Sequence, residues 1–176
     1  MTTAHTPRTT PEAAPAATPP HGPRLRWAKL APDVYKAMIA LDAAAKKGLD
    51  PALVELVKIR ASQLNHCAFC LDMHITDARK AGETEERIYL LSAWEEAPAC
   101  YSPEEQAALA LTEAVTVLTG GTSRPEAGGG FVPDEVYERA AAHFEDAALA
   151  QLIALITTIN AWNRFGVATR MAPGQA

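Results

Sequence analysis

Apolar residues recur at intervals of three and four along most of the chain, and Pro, Gly, Asp and Ser separate the apolar segments. From residue 30 onward, this pattern predicts consecutive amphipathic helices. Their approximate bounds are 32–47, 51–65, 67–82, 84–96, 103–118, a helix that opens at 133–134, and 146–167. No segment shows the strict alternation of a half-buried strand. The expected fold class is therefore all-α, a bundle of about six to seven helices.

Capping residues support several of these boundaries. Asp50 suits an N-cap followed by Pro51 at the first helical position. Ser102 and Glu105 form a capping box with a proline between them, and Gly82 suits the position just after a helix end. These signals predict where the second, third and fifth helices begin or end.

Two segments differ in composition from the predicted helices. Residues 1–26 hold six of the 13 prolines and are otherwise mostly small or polar. They cannot bury enough apolar surface to offset the entropy of ordering, so we expect a disordered tail followed by one helical domain over 27–176. Residues 120–132 contain five glycines and a proline and are expected to form a mobile loop.

Composition and charge exclude several classes of protein. A net charge of −5 argues against a nucleic-acid-binding protein, and three cysteines are too few for a disulfide-rich secreted scaffold. The most apolar stretch, 149–162, is interrupted by polar residues and is typical of a buried helix rather than a membrane span. The N-terminal residues lack the apolar core of a secretory signal. We therefore expect a cytoplasmic protein that binds neither nucleic acid nor membrane.

The candidate chemistry lies between Glu55 and His74. Cys67 and Cys70 form a C-x-x-C pair, and His74 follows Cys70 by four residues. On a helix of about 100° per residue, these three side chains share one narrow stripe. Glu55 lies on the preceding predicted helix and faces that stripe if the two helices pack as an antiparallel hairpin.

These residue types suit thiol chemistry. A helix N-terminus favours a thiolate, an imidazole can accept the thiol proton, and a carboxylate can hold the imidazole. A second cysteine can then attack the oxidised first sulfur and close a disulfide.

Other readings of the same residues stay open. Cys67, Cys70, His74 and Glu55 could supply four metal ligands instead. His66 could tune the site, although a loop histidine is the simpler interpretation, and Asp77 could orient His74 or form a surface ion pair. Cys100 is distant and is expected to be a spectator.

The spacing Glu-x11-Cys-x2-Cys-x3-His closely resembles the signature of AhpD-like alkylhydroperoxidases within the carboxymuconolactone decarboxylase superfamily. The surrounding segments LVKIRASQLNHCAFCLDMH, DARKAGETEERIYLLSAW and INAWNRFG are also similar to that family, over roughly residues 25–172.

The resemblance implies an all-α fold and an oxidoreductase that reduces hydroperoxides through thiols, with no bound cofactor. By analogy, Cys70 would attack the peroxide, Cys67 would resolve it to a disulfide, and Glu55 and His74 would relay protons. The partners implied are a hydroperoxide substrate, an external thiol or dithiol reductant, and further copies of the chain in a trimer or hexamer.

The chain departs from better characterised peroxidase members at Phe69, where they often carry a histidine. It also resembles a single-domain subgroup that bears Asn160 and Arg164. The decarboxylase branch lacks the cysteine pair, which argues against that activity.

Three functions compete with the peroxidase. The first is a non-enzymatic redox sensor whose disulfide alters assembly, and the second is a metal-binding module. The third is a lyase or isomerase that uses Glu55 and His74 as acid and base. Oligomerisation is also expected from the last predicted helix, which is apolar over much of its circumference and carries Trp162 and Phe165. The alternative is that this helix is the central core helix of a monomer.

Overall fold

A computed structural model describes residues 22–118 and 131–174. These residues form eight α-helices and two short 3-10 helices, with no strand among them. The predicted all-α class is therefore confirmed. The tail prediction for 1–26 falls mostly outside the described residues, as does the loop prediction for 120–132.

The helices follow the predicted order closely. They are α1 (Trp27–Leu30), α2 (Pro32–Ala45), α3 (Pro51–Leu64), α4 (Ala68–Lys80), α5 (Glu85–Leu90), α6 (Pro103–Thr116), α7 (Asp134–Ala141) and α8 (Asp146–Thr169), with 3-10 helices at Leu91–Glu96 and Pro98–Cys100 between α5 and α6.

Capping interactions fix the boundaries that the sequence predicted. The Asp50 carboxylate accepts hydrogen bonds from the N–H groups of Ala52 and Leu53 and starts α3. Ser102 and Glu105 form both bonds of a capping box at the start of α6. Gly82 follows α4 with a φ of +97°, the left-handed conformation that glycine adopts without a steric cost.

The prediction of one continuous helix over 84–96 is wrong. Regular α-helix ends at Leu90, and Ala93 has non-helical angles (φ −132°, ψ 35°). Trp94, which follows this kink, is buried, and its indole N–H donates to the Glu113 carboxylate at 2.7 Å. Burial of this large side chain therefore accompanies the break in the helix, a tertiary effect that periodicity does not report.

The short helix α1 was not predicted because one turn is too brief to show a period. Aromatic packing holds it: the Trp27 ring stacks on Phe165 of α8 at a centroid distance of 4.0 Å. Trp27 also lies 5.4 Å from the Tyr35 ring of α2 and 5.8 Å from the Trp162 ring of α8.

Two apolar clusters form the core, and α3 contributes to both. Leu53, Val57, Leu111 and Leu152 belong to a cluster shared by α3, α6, α7 and α8. Leu56, Ile59 and Leu109 belong to a second cluster with α4, α5 and the following 3-10 segment. α3 is therefore the central element on which the hairpin partner α4 and the long helix α8 are positioned.

The last helix is a core helix within the chain. α8 packs against α2, α3, α4, α6 and α7, and its Leu152, Leu155 and Ile159 are almost completely buried. Its apolar circumference is thus explained without a second subunit. Large exposed aliphatic side chains lie on α1 and α2, at Leu30, Val34, Ile39 and Leu41, and one lies on α8, at Val167.

Within residues 22–118 and 131–174, none of the helices has both the length and the apolar character that crossing a membrane requires.

Candidate redox site

The C-x-x-C pair lies where the α3–α4 hairpin turns. His66 adopts a φ of +55°, which is uncommon for a residue with a side chain. This left-handed conformation lies in the turn between α3 and α4. The Cys67 N–H then donates to the Ser62 carbonyl oxygen at 3.0 Å. Cys67 is the N-cap of α4, and Cys70 lies in the first turn of that helix.

Cys67 and Cys70 are joined as a disulfide, with their Cα atoms 5.3 Å apart. Their relative exposures are 1% and 2%, so both sulfurs are covered by protein. A separation of three residues at a helix start thus brings the two thiols within bonding distance, as a reversible dithiol requires.

The two sulfurs have different hydrogen-bonding environments. The Cys67 Sγ accepts a hydrogen bond from the Cys70 N–H at 3.4 Å. This is the capping bond that a serine oxygen usually makes, and it places Cys67 at the positive end of the α4 dipole. In the reduced protein, the same donor would stabilise negative charge on the Cys67 sulfur.

Glu55 and His74 form the second part of the site. The His74 Nδ1 lies 2.9 Å from the Glu55 Oε2, across the interface between α3 and α4. His74 is buried, and the Glu55 side chain keeps 20% of its exposure. When Nδ1–H donates to this carboxylate, Nε2 is the nitrogen left to accept a proton. His74 lies one helical turn after Cys70, on the same side of α4.

Gly166 of α8 lies directly against the disulfide. A Cβ atom placed on Gly166 would lie 2.7 Å from the Cys67 Sγ and 3.5 Å from the Cys70 Sγ. The first distance is shorter than a non-bonded carbon–sulfur contact allows, whereas the second is ordinary contact. Only glycine therefore lets α8 approach Cys67 this closely.

An asparagine cluster fixes α8 to the hairpin turn. The Asn65 side-chain amide donates to the Asn160 Oδ1 at 2.9 Å and to the Asn163 Oδ1 at 3.0 Å. The Asn163 amide in turn donates to the Ser62 hydroxyl at 2.9 Å, and Asn163 is completely buried. Because Asn163 is three residues before Gly166, these bonds set the register of α8 against the sulfurs.

The structure distinguishes the remaining sequence candidates. His66 is exposed in the turn, and Asp77 pairs on the surface with Lys80 at 3.2 Å. Cys100 is a free thiol beyond α5, packed against the second core cluster. Across the described parts of the chain, no three His, Cys, Asp or Glu side chains are arranged to hold a metal ion.

Residues 32–114 match the model of the carboxymuconolactone decarboxylase family. The uncharacterized protein YdfG of Bacillus subtilis (strain 168) is 42% identical over 146 residues, which cover 82% of this chain and 92% of YdfG. The chain belongs to the carboxymuconolactone decarboxylase family. The uncharacterized protein YnjA of Escherichia coli (strain K12) is 33% identical over 120 residues, covering 68% of this chain and 60% of YnjA.

A crystal structure from Agrobacterium tumefaciens supports the AhpD-like branch of this family. That protein, ATU0492, is described as of unknown function and as a candidate antioxidant defence protein AhpD. The two folds superpose with a TM-score of 0.78 at 35% identity, over 88% of this chain and 100% of the other. The expected AhpD-like helical architecture is thereby confirmed.

Sequence reasoning on this AhpD-like chain missed the contribution of α8. Asn160 was identified only because a similar subgroup of the family bears it, and the roles of Asn65, Asn163 and Gly166 were not predicted. A usable signal was present: a glycine inside a long apolar helix costs about 1 kcal/mol relative to alanine and often marks a close approach. Which element approaches at that point is a tertiary fact that spacing does not give.

Proposed function

We propose that this AhpD-like protein is a thiol peroxidase that reduces organic hydroperoxides through Cys70 and Cys67. The observation that carries the proposal is the pairing of a buried C-x-x-C disulfide at the start of α4 with a His74–Glu55 hydrogen bond across the facing helices. Neither feature alone has this meaning, because structural disulfides and buried His–Glu pairs are each common.

In the first step, the Cys70 thiol gives its proton to the His74 Nε2, and the resulting thiolate attacks the terminal peroxide oxygen. The O–O bond breaks, Cys70 becomes a sulfenic acid, and the departing alkoxide takes the proton from His74. Glu55 holds the imidazole and balances its charge while it carries that proton.

In the second step, the Cys67 thiolate attacks the Cys70 sulfenic sulfur and releases hydroxide, which is protonated to water. The product is the Cys67–Cys70 disulfide. A thiol or dithiol donor from outside then reduces it, so that one hydroperoxide is consumed for each donor dithiol oxidised.

Peroxide turnover tests this function. Reduced protein carrying Cys100→Ser is mixed with cumene hydroperoxide, and free thiols are counted before and after. We expect the loss of both remaining thiols, followed by repeated turnover when a dithiol is present. Survival of both thiols would contradict the proposal.

The same assay separates two rivals. A redox sensor would oxidise once and would not cycle with the donor. A lyase or isomerase of the kind for which the family is named would need only Glu55 and His74. It would remain active on its ring-acid substrate after both Cys67→Ser and Cys70→Ser.

We also propose that the protein works as a homo-oligomer, assembled through the exposed aliphatic side chains of α2. Val34, Ile39 and Leu41 are each nearly half exposed. The test is molar mass by light scattering: Val34→Glu with Leu41→Glu, which lie seven residues apart on one face of α2, should dissociate the assembly. Tyr89→Glu, at an exposed side chain of α5, should not. A wild-type monomer at micromolar concentration would contradict this proposal.

The cytoplasmic location expected from the sequence stays a prediction. It is consistent with the proposed cycle, because a reducing compartment supplies the thiols that reopen the disulfide.

A further inference from the structure

A donor thiol that reopens the disulfide must attack one of its two sulfurs and expel the other as a thiolate. The preferred direction depends on the leaving group, since the sulfur that better carries negative charge leaves faster. The two sulfurs have different surroundings in the structure, and these surroundings indicate which sulfur leaves more readily as a thiolate.

Cys67 is the better placed leaving group. Its sulfur is at the N-cap of the 13-residue helix α4 and already accepts the Cys70 N–H hydrogen bond at 3.4 Å. Both the bond and the helix dipole stabilise the charge that develops on Cys67 as the S–S bond breaks. The donor is a backbone N–H, so it is present whatever the oxidation state of the pair.

Cys67 is also the less approachable sulfur from the side of α8. The backbone of Gly166 lies closer to Cys67 than to Cys70, as the distances of 2.7 and 3.5 Å from an added Cβ show. The Asn163–Ser62 and Asn65–Asn163 hydrogen bonds hold α8 in this position. On the side of α8, Cys67 is therefore the more closely covered of the two sulfurs.

We propose that the reducing thiol attacks the Cys70 Sγ, so that Cys67 leaves as a thiolate capping α4 and the donor is transiently bonded to Cys70. This inference rests on the proposed thiol–disulfide cycle and names the sulfur through which electrons enter it. The same sulfur thus meets both the hydroperoxide and the reductant.

The disulfide is reduced in two thiol–disulfide exchanges. The donor thiolate forms a new S–S bond to Cys70 as the Cys67–Cys70 bond breaks, and the electron pair of that bond stays on Cys67. A second donor thiolate then attacks the donor sulfur of the mixed disulfide and releases Cys70, which takes a proton from solvent or from His74. Two donor thiols become one donor disulfide, and both cysteines are reduced.

Glutathione, a monothiol, traps the intermediate. Oxidised protein carrying Cys100→Ser is mixed with glutathione, quenched in acid after a short interval, unfolded and alkylated with N-ethylmaleimide. Trypsin releases residues 61–79 as one peptide with both cysteines, and fragment ions between Cys67 and Cys70 locate each adduct. We expect glutathione on Cys70 and N-ethylmaleimide on Cys67, in at least tenfold excess over the reverse arrangement. Glutathione mainly on Cys67, or divided evenly, would overturn the proposal.

A second measurement tests the leaving-group argument alone. In the Cys70→Ser, Cys100→Ser variant, Cys67 is the single thiol and keeps its backbone donor. We expect thiolate absorbance at 240 nm to persist to a lower pH than in the same protein unfolded in urea. Coincident titration in the folded and unfolded states would overturn the argument.

The outcomes separate this inference from the peroxidase itself. Glutathione on Cys67 with normal peroxide turnover would remove the inference and leave the function intact. Glutathione on Cys70 in a protein that does not consume peroxide would leave the direction of reduction standing and remove the function.

Discussion

Two buried polar pairs join α3 to its neighbours one turn apart, and we assign them different roles. Glu55 reaches His74 on α4 at 2.9 Å, and Lys58 reaches Asp42 on α2 at 2.8 Å. Both pairs join α3 to a neighbour, and His74 and Lys58 are both almost completely buried. Burial and pairing therefore do not by themselves show which pair takes part in the proposed reaction.

The two pairs differ in the type of their basic side chain and in the residues around it. The imidazole of His74 can both donate and accept a proton, and it lies one turn from Cys70 of the disulfide. The ammonium of Lys58 only donates, and its carboxylate partner Asp42 also contacts Lys46 at 3.2 Å. Burial raises the pKa of Asp42, but the hydrogen bonds and charges of Lys58 and Lys46 together outweigh it, and the net pKa is lowered. The Lys58–Asp42 pair fixes α2, of which only Ala45 is otherwise buried.

Substitutions in the Glu55–His74 pair should have the largest effect. We expect His74→Gln to lower peroxide turnover by about 100- to 10,000-fold, the range for loss of a positioned acid–base group. Glu55→Gln should lower it less, because the imidazole remains. Steady-state peroxide consumption measures both, with unfolding midpoints as the control for folding. Wild-type turnover in His74→Gln would remove His74 from the mechanism.

Breaking the Lys58–Asp42 pair should affect stability instead. Asp42→Asn leaves a buried ammonium without its carboxylate, which costs about 3 kcal/mol when one partner of a buried pair is removed. Denaturant unfolding measures this loss. Adding Lys58→Met should recover most of it, since no charge then stays buried. Turnover per folded molecule should not change; a drop comparable with that of His74→Gln would mean that the two pairs are not distinct in role.

The contact between Gly166 and Cys67 predicts that the effect of Gly166→Ala on stability changes sign when Cys67 is replaced. With Cys67 present, Gly166→Ala should destabilise by about 1–3 kcal/mol, as overpacking does. With Cys67→Ala, the clashing sulfur is absent, and Gly166→Ala should stabilise the helix by up to about 1 kcal/mol. Urea unfolding of the four proteins completes the cycle. The same sign in both backgrounds would show that the contact does not limit the position of α8.

The smallest predicted effect is on acid stability. Because the folded-state pKa of Asp42 is below its ordinary 3.8, the pair stabilises fully above that value and loses its contribution as pH falls through the folded pKa. The stability difference between wild type and Asp42→Asn should therefore shrink below about pH 4. A difference that grows toward low pH would contradict this sign.

The sequence predicted what local chemistry controls. Asp50, Ser102 and Gly82 act through their own backbone neighbours, so their helix boundaries were correct. Cys67 caps the helix that carries Cys70 and His74, so spacing placed the three on one side, and a hairpin was sufficient to bring Glu55 to His74.

The parts that were missed depend on packing between distant segments. Trp94 is buried against α6 and Trp27 against α8, and each changes local structure in a way that periodicity does not encode. The role of Gly166 depends on a segment 99 residues earlier in the chain. The first two errors were in helix bounds, whereas the third was in the site itself.

One measurement tests the central claim most directly, that Cys70 is the sulfur that hydroperoxide oxidises with His74 as its base. The Cys67→Ser, Cys100→Ser variant is treated with cumene hydroperoxide and dimedone, and the adduct is located by mass spectrometry. We predict one dimedone adduct, on Cys70, that forms at least tenfold more slowly when His74→Gln is added, in line with loss of a general base. A Cys70 thiol that survives the peroxide unmodified would contradict the account.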